Sequence, residues 1–553
     1  MLPAPLLNMI SKPTTWRRRR FPVQRLLLLI ALFATLGIVI LGIKSVDPSS
    51  PIPGNNNTLG ISALNMTINF VKQINITKKC ATVEEMGEIF GRGYAEESLR
   101  VRRIIQAHFA LNGALTVREL PQHQFCKHGF VIGKASEAGL GNEMYKILTA
   151  AAVSVMLNRS LIIGQTRGKY PFGDYISYSN QTFTMKEVKH LWRKNHCLAK
   201  YGRHLTMRID DFQKPALTNV LCSNWRKWQE PIIWFQNATD AVAAQFFLKN
   251  VHPEMREASS YLFGSPEDLQ HRANVFGELM RILIFPSKNI ERAVNWALNG
   301  SQDPDIVLHM RMMMNRSVRA RQAALDCVKK TANDISMIPR PKLVLVTDTP
   351  SLVKDIVPIL EEFTEVVHFD YKNFELNISG NNQLNSSSFR VKDWGPAPRW
   401  VAFVDFFLAS RAKYAVISGA HRRVGTTYIQ LIAELAAAYR LDENTSSHSV
   451  LRFFSSFQST LLSEGLKNQV GWGHVWNRFA GPLSCRSRSN QCALTPILAP
   501  AWWDGLWQSP IPRDIRRMEA YGIKLSGFGT FYDDYLNHFC RTRKTPVVSV
   551  PLI

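Results

Sequence analysis

From Ser136 to Arg440 short runs of β-branched and aliphatic residues alternate with longer apolar or amphipathic segments, and no other feature restricts the fold as much. Near-continuous apolar runs suit strands buried on both faces, and a helix-length segment after each run makes the crossover that parallel pairing needs. Strands are therefore expected at Ser160–Gly164, Asp305–Arg311, Lys342–Thr347, Glu365–Phe369 and Lys413–Ser418. Helices are expected at Ala138–Asn158, Arg319–Ala332, Pro350–Phe363, Trp400–Ser410 and Thr427–Arg440, with an amphipathic one between Val83 and Asn112. The fold class that follows is α/β, with a doubly wound parallel sheet.

At 553 residues the chain exceeds what one core normally serves, and 46% hydrophobic with 20% charged residues fits packed structure. Six regions are expected: a tail at 1–25, an apolar segment at 26–43, a spacer at 44–80, Rossmann-like domains at 81–300 and 301–445, and an extension at 446–553. That extension holds Trp472, Trp476, Trp502, Trp503 and Trp507, together with Cys485, Cys492 and Cys540.

Leu26–Ile43 carries no charge and, at about 1.5 Å per residue, is long enough to cross a thin bilayer as a helix. Arg17, Arg18, Arg19, Arg20 and Arg25 precede it, so the positive-inside rule places the N-terminus in the cytosol and the rest in the lumen. A single-pass type II anchor is expected. A cleaved signal peptide is the rival, with a shorter apolar run and a small-residue cleavage pattern. The short span favours the Golgi, with the endoplasmic reticulum second. Glycosylation sequons at Asn56, Asn65, Asn75, Asn180, Asn237, Asn299, Asn377, Asn385 and Asn444 agree with a lumenal address. Those at Asn158 and Asn315 sit in apolar or motif segments and are expected to stay unmodified.

Eight cysteines without CxxC spacing suggest disulfides rather than a zinc site, and Cys485–Cys492 is the expected pair. The net charge of +24 would suit nucleic acid in a nuclear protein, but the anchor argues against that partner.

Three segments bear chemistry. In the first, Gly139, Gly141 and Asn142 stand just before a helix, where glycines permit close approach and helix amides attract anions; turn formation alone also explains them. The second is the run ending in His309 and Arg311, which strand alternation sets on one face. A guanidinium there fits a departing diphosphate, and a surface arginine paired to a carboxylate is the other reading. The third is the turn with Ser418, Gly419, Arg422, Thr426 and Thr427 opening a helix, where hydroxyls and amides either bind phosphate or cap the helix. The lone Asp-x-Asp, Asp303 to Asp305, precedes a strand and reads as a turn rather than a metal site. Glu137, Glu143 and Asp348 are candidate bases.

In order and layout these segments resemble the α1,2-, α1,6- and protein O-fucosyltransferases. The match departs from that pattern at Met312, where a second Arg is commoner, and at His421 and Arg422. The resemblance implies a GT-B-like architecture, two Rossmann-like domains facing a central cleft behind the membrane helix. It implies inverting transfer of fucose from GDP-fucose to a glycan or protein, with Arg311 catalytic and no metal or other cofactor. His309, Gly139, Gly141, Asn142, Ser418, Gly419, Arg422, Thr426 and Thr427 would bind the donor. A GT-B transferase for another nucleotide sugar, or an inactive lumenal sugar- or nucleotide-binding protein, are the alternatives.

Overall fold

A computed structural model describes residues 93–552 except 136–138, 165–171, 213, 215–216, 239–247, 265–272, 313–317, 336–339, 379–396, 419–426, 442–450, 459–489, 495–496, 498–515, 517, 525–530 and 544–546. They belong to one compact unit, residues 67–553. Leu26–Ile43 lies outside the described residues. Among those described, no helix is long and apolar enough to cross a membrane.

The architecture is mixed α/β, built on two largely parallel sheets. The first comprises β1 (Phe130–Lys134), β2 (Ser160–Gly164), β4 (Thr206–Asp211), β5 (Ile232–Gln236) and β13 (Val548–Pro551) in the order β13-β4-β5-β1-β2. The second comprises β7 (Ile306–Met310), β8 (Lys342–Thr347), β9 (Glu365–Val367), β10 (Tyr414–Ser418), β11 (Arg452–Gln458) and β12 (Asn490–Leu494) in the order β12-β11-β10-β7-β8-β9. Among the described strands of these two sheets, only β13 and β12 run antiparallel to their neighbours. A short ribbon pairs β3 (Ile176–Tyr178) with β6 (Ile284–Pro286).

Side-chain alternation divides the interior into cores. Ile306, Leu308 and Met310 of β7 join Leu343, Leu345 and Val416 on one face of the second sheet. Val307, Val344, Val346, Ala415 and Ile417 point to the other face, into a central core shared with Val131, Leu161, Ile163 and Ile233 of the first sheet. Helices α1 (Tyr94–Asn112), α2 (Leu140–Leu157), α3 (Val275–Leu283), α5 (Val401–Ala409) and α6 (Thr427–Arg440) contribute to this central core; α4 (Val318–Asp334) packs on the opposite face.

Small residues set how closely the two halves approach. A Cβ on Gly141 in α2 would stand 2.7 Å from Thr427 Oγ1 and 2.8 Å from Tyr428 N, and one on Gly277 in α3 would overlap the Glu434 carbonyl. The far end of α6 is held by the buried Arg102 of α1, which donates to the carbonyls of Ala438 and Leu441 and pairs with Glu278 at 2.8 Å.

Two expectations change. The residues beyond 445, read as an extension packed on the core, supply β11 and β12 to the second sheet and β13 to the first. Cys492 bonds to Cys327 of α4, not to Cys485, because β12 lies against that helix; Cys485 is outside the described residues. Cys126–Cys197 and Cys222–Cys540 complete the described disulfides, the second tying helix α7 (Asp533–Thr542) to the loop before β5.

Candidate active site

In an open parallel α/β sheet, strand order reverses at one point, and the crevice at the carboxyl ends there receives ligand. In the second sheet the chain runs β7, β8, β9 to one side, then returns to place β10 and β11 on the other. The reversal lies between β7 and β10, and the residues at those carboxyl ends are Met310, Arg311 and Ser418. In the first sheet the reversal lies between β1 and β5, and β1 leads towards Gly139 and Asn142.

The two edges meet. Thr427 at the start of α6 donates from its hydroxyl to Asn142 Oδ1 at 3.0 Å, and Gly141 lies against the Thr427 and Tyr428 backbone. Gly141 thus serves helix-to-helix approach. Gly139 is the residue before α2, with φ −65 and ψ 151. Gly419, Arg422 and Thr426 lie outside the described residues, as does Glu137.

A pocket at the β7–β10 reversal is lined by His309, Arg311, Asp348, Arg399, Asp405 and Tyr428, among others. It brings His309 and Arg311 together as alternation required. His309 is buried, its ring 5.7 Å from that of Tyr428. Burial and, secondarily, the Arg311 charge push its pKa down to about 3, so the imidazole is neutral at physiological pH. The Arg311 side chain is 40% exposed, with Nε 4.0 Å from Asp348 Oδ2. Asp348 is steadied in turn: Oδ1 accepts from the Met312 amide at 2.9 Å and from the Thr349 hydroxyl at 3.1 Å.

Asp405 was missed as a site residue. Burial raises its carboxyl to about 8, so it is largely protonated near neutrality, able both to donate and to accept. A single acid inside the apolar segment VAFVDFFLA was the signal available, since an unpaired carboxylate is costly there. Tyr428, which donates to the Ala402 carbonyl at 2.6 Å, and Arg399 were also missed. Of the candidate bases, Glu143 is buried and paired to Lys146 at 2.8 Å, which takes it away from an incoming hydroxyl. Asp348 remains at the pocket. Among the described residues no group of three His, Cys, Asp or Glu is placed to hold a metal.

The model of a family of unknown function, DUF7810, matches residues 75–552. The chain belongs to that family. None of the curated proteins matches this DUF7810 member. Among solved structures, fucosyltransferase NodZ from Bradyrhizobium is similar at 14% identity over 60% of this chain and 96% of that one, TM-score 0.31. A mutant of Arabidopsis thaliana FUT1 in complex with GDP is similar at 11% identity over 73% of this chain and 81% of that one, TM-score 0.37. POFUT1 in complex with GDP is similar at 12% identity over 56% of this chain and 95% of that one, TM-score 0.32. These likenesses are slight, and the geometry of the pocket carries the functional reading.

Proposed function

We propose that this protein is an inverting glycosyltransferase of GT-B-like architecture that moves fucose from GDP-fucose to a glycan or protein acceptor. The observation that carries the reading is Arg311, at the carboxyl end of β7 where strand order reverses and at the exposed side of a pocket whose buried side holds His309 and Asp405. A neutral imidazole and a protonated carboxyl suit the hydrogen-bonding edge of a nucleobase, and an exposed guanidinium suits the diphosphate. In the transfer, an acceptor hydroxyl attacks the anomeric carbon as the bond to the β-phosphate breaks. Arg311 stabilises the charge gathering on the GDP leaving group, and the hydroxyl proton passes to a nearby base, for which Asp348 is the best placed.

The arginine supplies the positive charge at the leaving group, so the reading needs no metal. Gly139, Ser418, Gly419, Arg422, Thr426 and Thr427 are proposed to line the donor side. The three disulfides among the described residues suit an oxidising compartment, and a type II anchor at 26–43 in the Golgi membrane is part of the proposal. The test is a screen of nucleotide sugars for donor hydrolysis and transfer by the purified protein. GDP-fucose alone should turn over. Turnover with another nucleotide sugar would move the assignment to that donor, and GDP binding without turnover would make the protein a nucleotide-binding protein.

A further inference from the structure

At the opposite edge of the first sheet, around the amino-terminal ends of β4 and β5, lies an open groove of about 500 Å³ that the donor reading does not use. Its size falls within the roughly 300–1,000 Å³ usual for ligand sites. Its lining includes Arg203, His204, Thr206, Lys227, Gln229 and Glu230.

The charge here is unbalanced. Arg203 donates only to carbonyls, those of Lys127 and Gln229, each at 3.2 Å. Arg159, just behind, likewise donates to the carbonyls of Trp228 and Glu230, each at 2.9 Å. Among the described residues neither has a carboxylate within ion-pair distance, and Lys227 has no ion pair. Burial, and then the Arg203 charge, lower Arg159 to about 10, and the Glu230 carboxylate offsets only part of that. The lining carboxylate Glu230 accepts from the Ser549 hydroxyl at 3.2 Å, and Asp210 is engaged by Arg208 at 3.1 Å. An anion in the groove would relieve this repulsion.

Guanidinium, ammonium, imidazole, amide and hydroxyl groups line the groove beside the apolar surface of Trp228 and Pro231. The Arg208 guanidinium lies 3.5 Å from the centre of the Trp228 ring, so that face is occupied as an apolar anchor. The edge of β4 is already paired with β13, which removes strand addition as a route to peptide binding. We propose that this groove binds an acidic saccharide, a glycan segment bearing uronate or sulfate groups, at a site separate from the donor pocket. The inference stands independently of the fucosyl-transfer reading.

The full-length protein in detergent would be titrated calorimetrically with a heparin-derived hexasaccharide, a trigalacturonate, neutral maltohexaose and hexaglutamate. The charged saccharides should bind, with affinity falling as salt rises, and maltohexaose should not. Lys227→Glu should weaken binding about tenfold, as loss of one charge-assisted contact does. Lys227 is exposed, so its melting profile should be unchanged; Arg203→Gln, which also loses two carbonyl contacts, should weaken binding at least as much. Failure of both charged saccharides to bind at low salt would overturn the proposal. So would unchanged affinity in Lys227→Glu and Arg203→Gln, or hexaglutamate binding as tightly as the saccharides.

Discussion

Thr427 and Asn142 stand 285 residues apart in sequence, yet the hydroxyl of one donates to the side-chain oxygen of the other at 3.0 Å. The first residue of α6, after β10, is thereby tied to the first turn of α2, after β1. The helices that follow both sheet reversals are registered to each other by this contact and by the bare face of Gly141.

Removing either element should loosen that register. Gly141→Ala would set its methyl within 2.8 Å of the Tyr428 amide nitrogen, a backbone atom that cannot swing away. Overpacking of this kind costs about 1–3 kcal/mol, more than the roughly 1 kcal/mol of helix propensity gained. Thr427→Val should cost about 1 kcal/mol for the lost hydrogen bond. Thermal melts would check both, and an unshifted melting temperature in Gly141→Ala would show that the halves are not in close contact.

Arg311→Lys keeps the positive charge and loses the planar fork. If the fork holds the departing diphosphate, turnover should fall on the order of 10² to 10³, with GDP affinity reduced far less. Turnover assays and GDP titration separate the two effects. Near-normal turnover would make Arg311 structural.

Asp405 makes a pH prediction. Its folded pKa of about 8 lies above the ordinary 3.8, so the folded state holds the proton more tightly, and that contribution is lost as pH rises from about 4 to about 8. Asp405→Asn resembles the protonated form at every pH. Its stability relative to the unmodified protein should rise across that window and level off above it, as melts at a series of pH values would show. A constant difference would mean that Asp405 titrates normally.

Chelation is a separate test. With Arg311 supplying the positive charge, transfer and GDP binding should persist in excess EDTA, measured by the same assays. An absolute requirement for manganese would sink this mechanism.

Peptide mapping without reduction should recover Cys327 linked to Cys492. Replacing both by Ser should cost about 2–5 kcal/mol, as loss of a native disulfide typically does. Recovery of Cys485 linked to Cys492 would contradict the packing of β12 on α4.

The second sheet was readable from the chain because its central strands β7, β8 and β10 are short, apolar and buried on both faces, and α6 begins and ends where its pattern does. The first sheet was harder. Only β2 stood out, since β4 carries Arg208 and Asp210, whose mutual pairing hides the cost of burying them. β13 and the Cys327–Cys492 bridge depend on distant contacts, which local periodicity does not record. At the site His309 and Arg311 followed from strand alternation, whereas Asp405 was obscured because it sits buried within the apolar helix α5, whose pattern reads as core.

Cys222 finds its partner 318 residues later, so at about 5–20 residues per second of synthesis its thiol waits roughly 15 to 60 s for Cys540 to be made. During that interval Cys126 and Cys197, already made, are available for mispairing by thiol–disulfide exchange. Closure of Cys222–Cys540 is therefore the late step of oxidation, and production in a host without disulfide isomerase activity should accumulate scrambled species through Cys222.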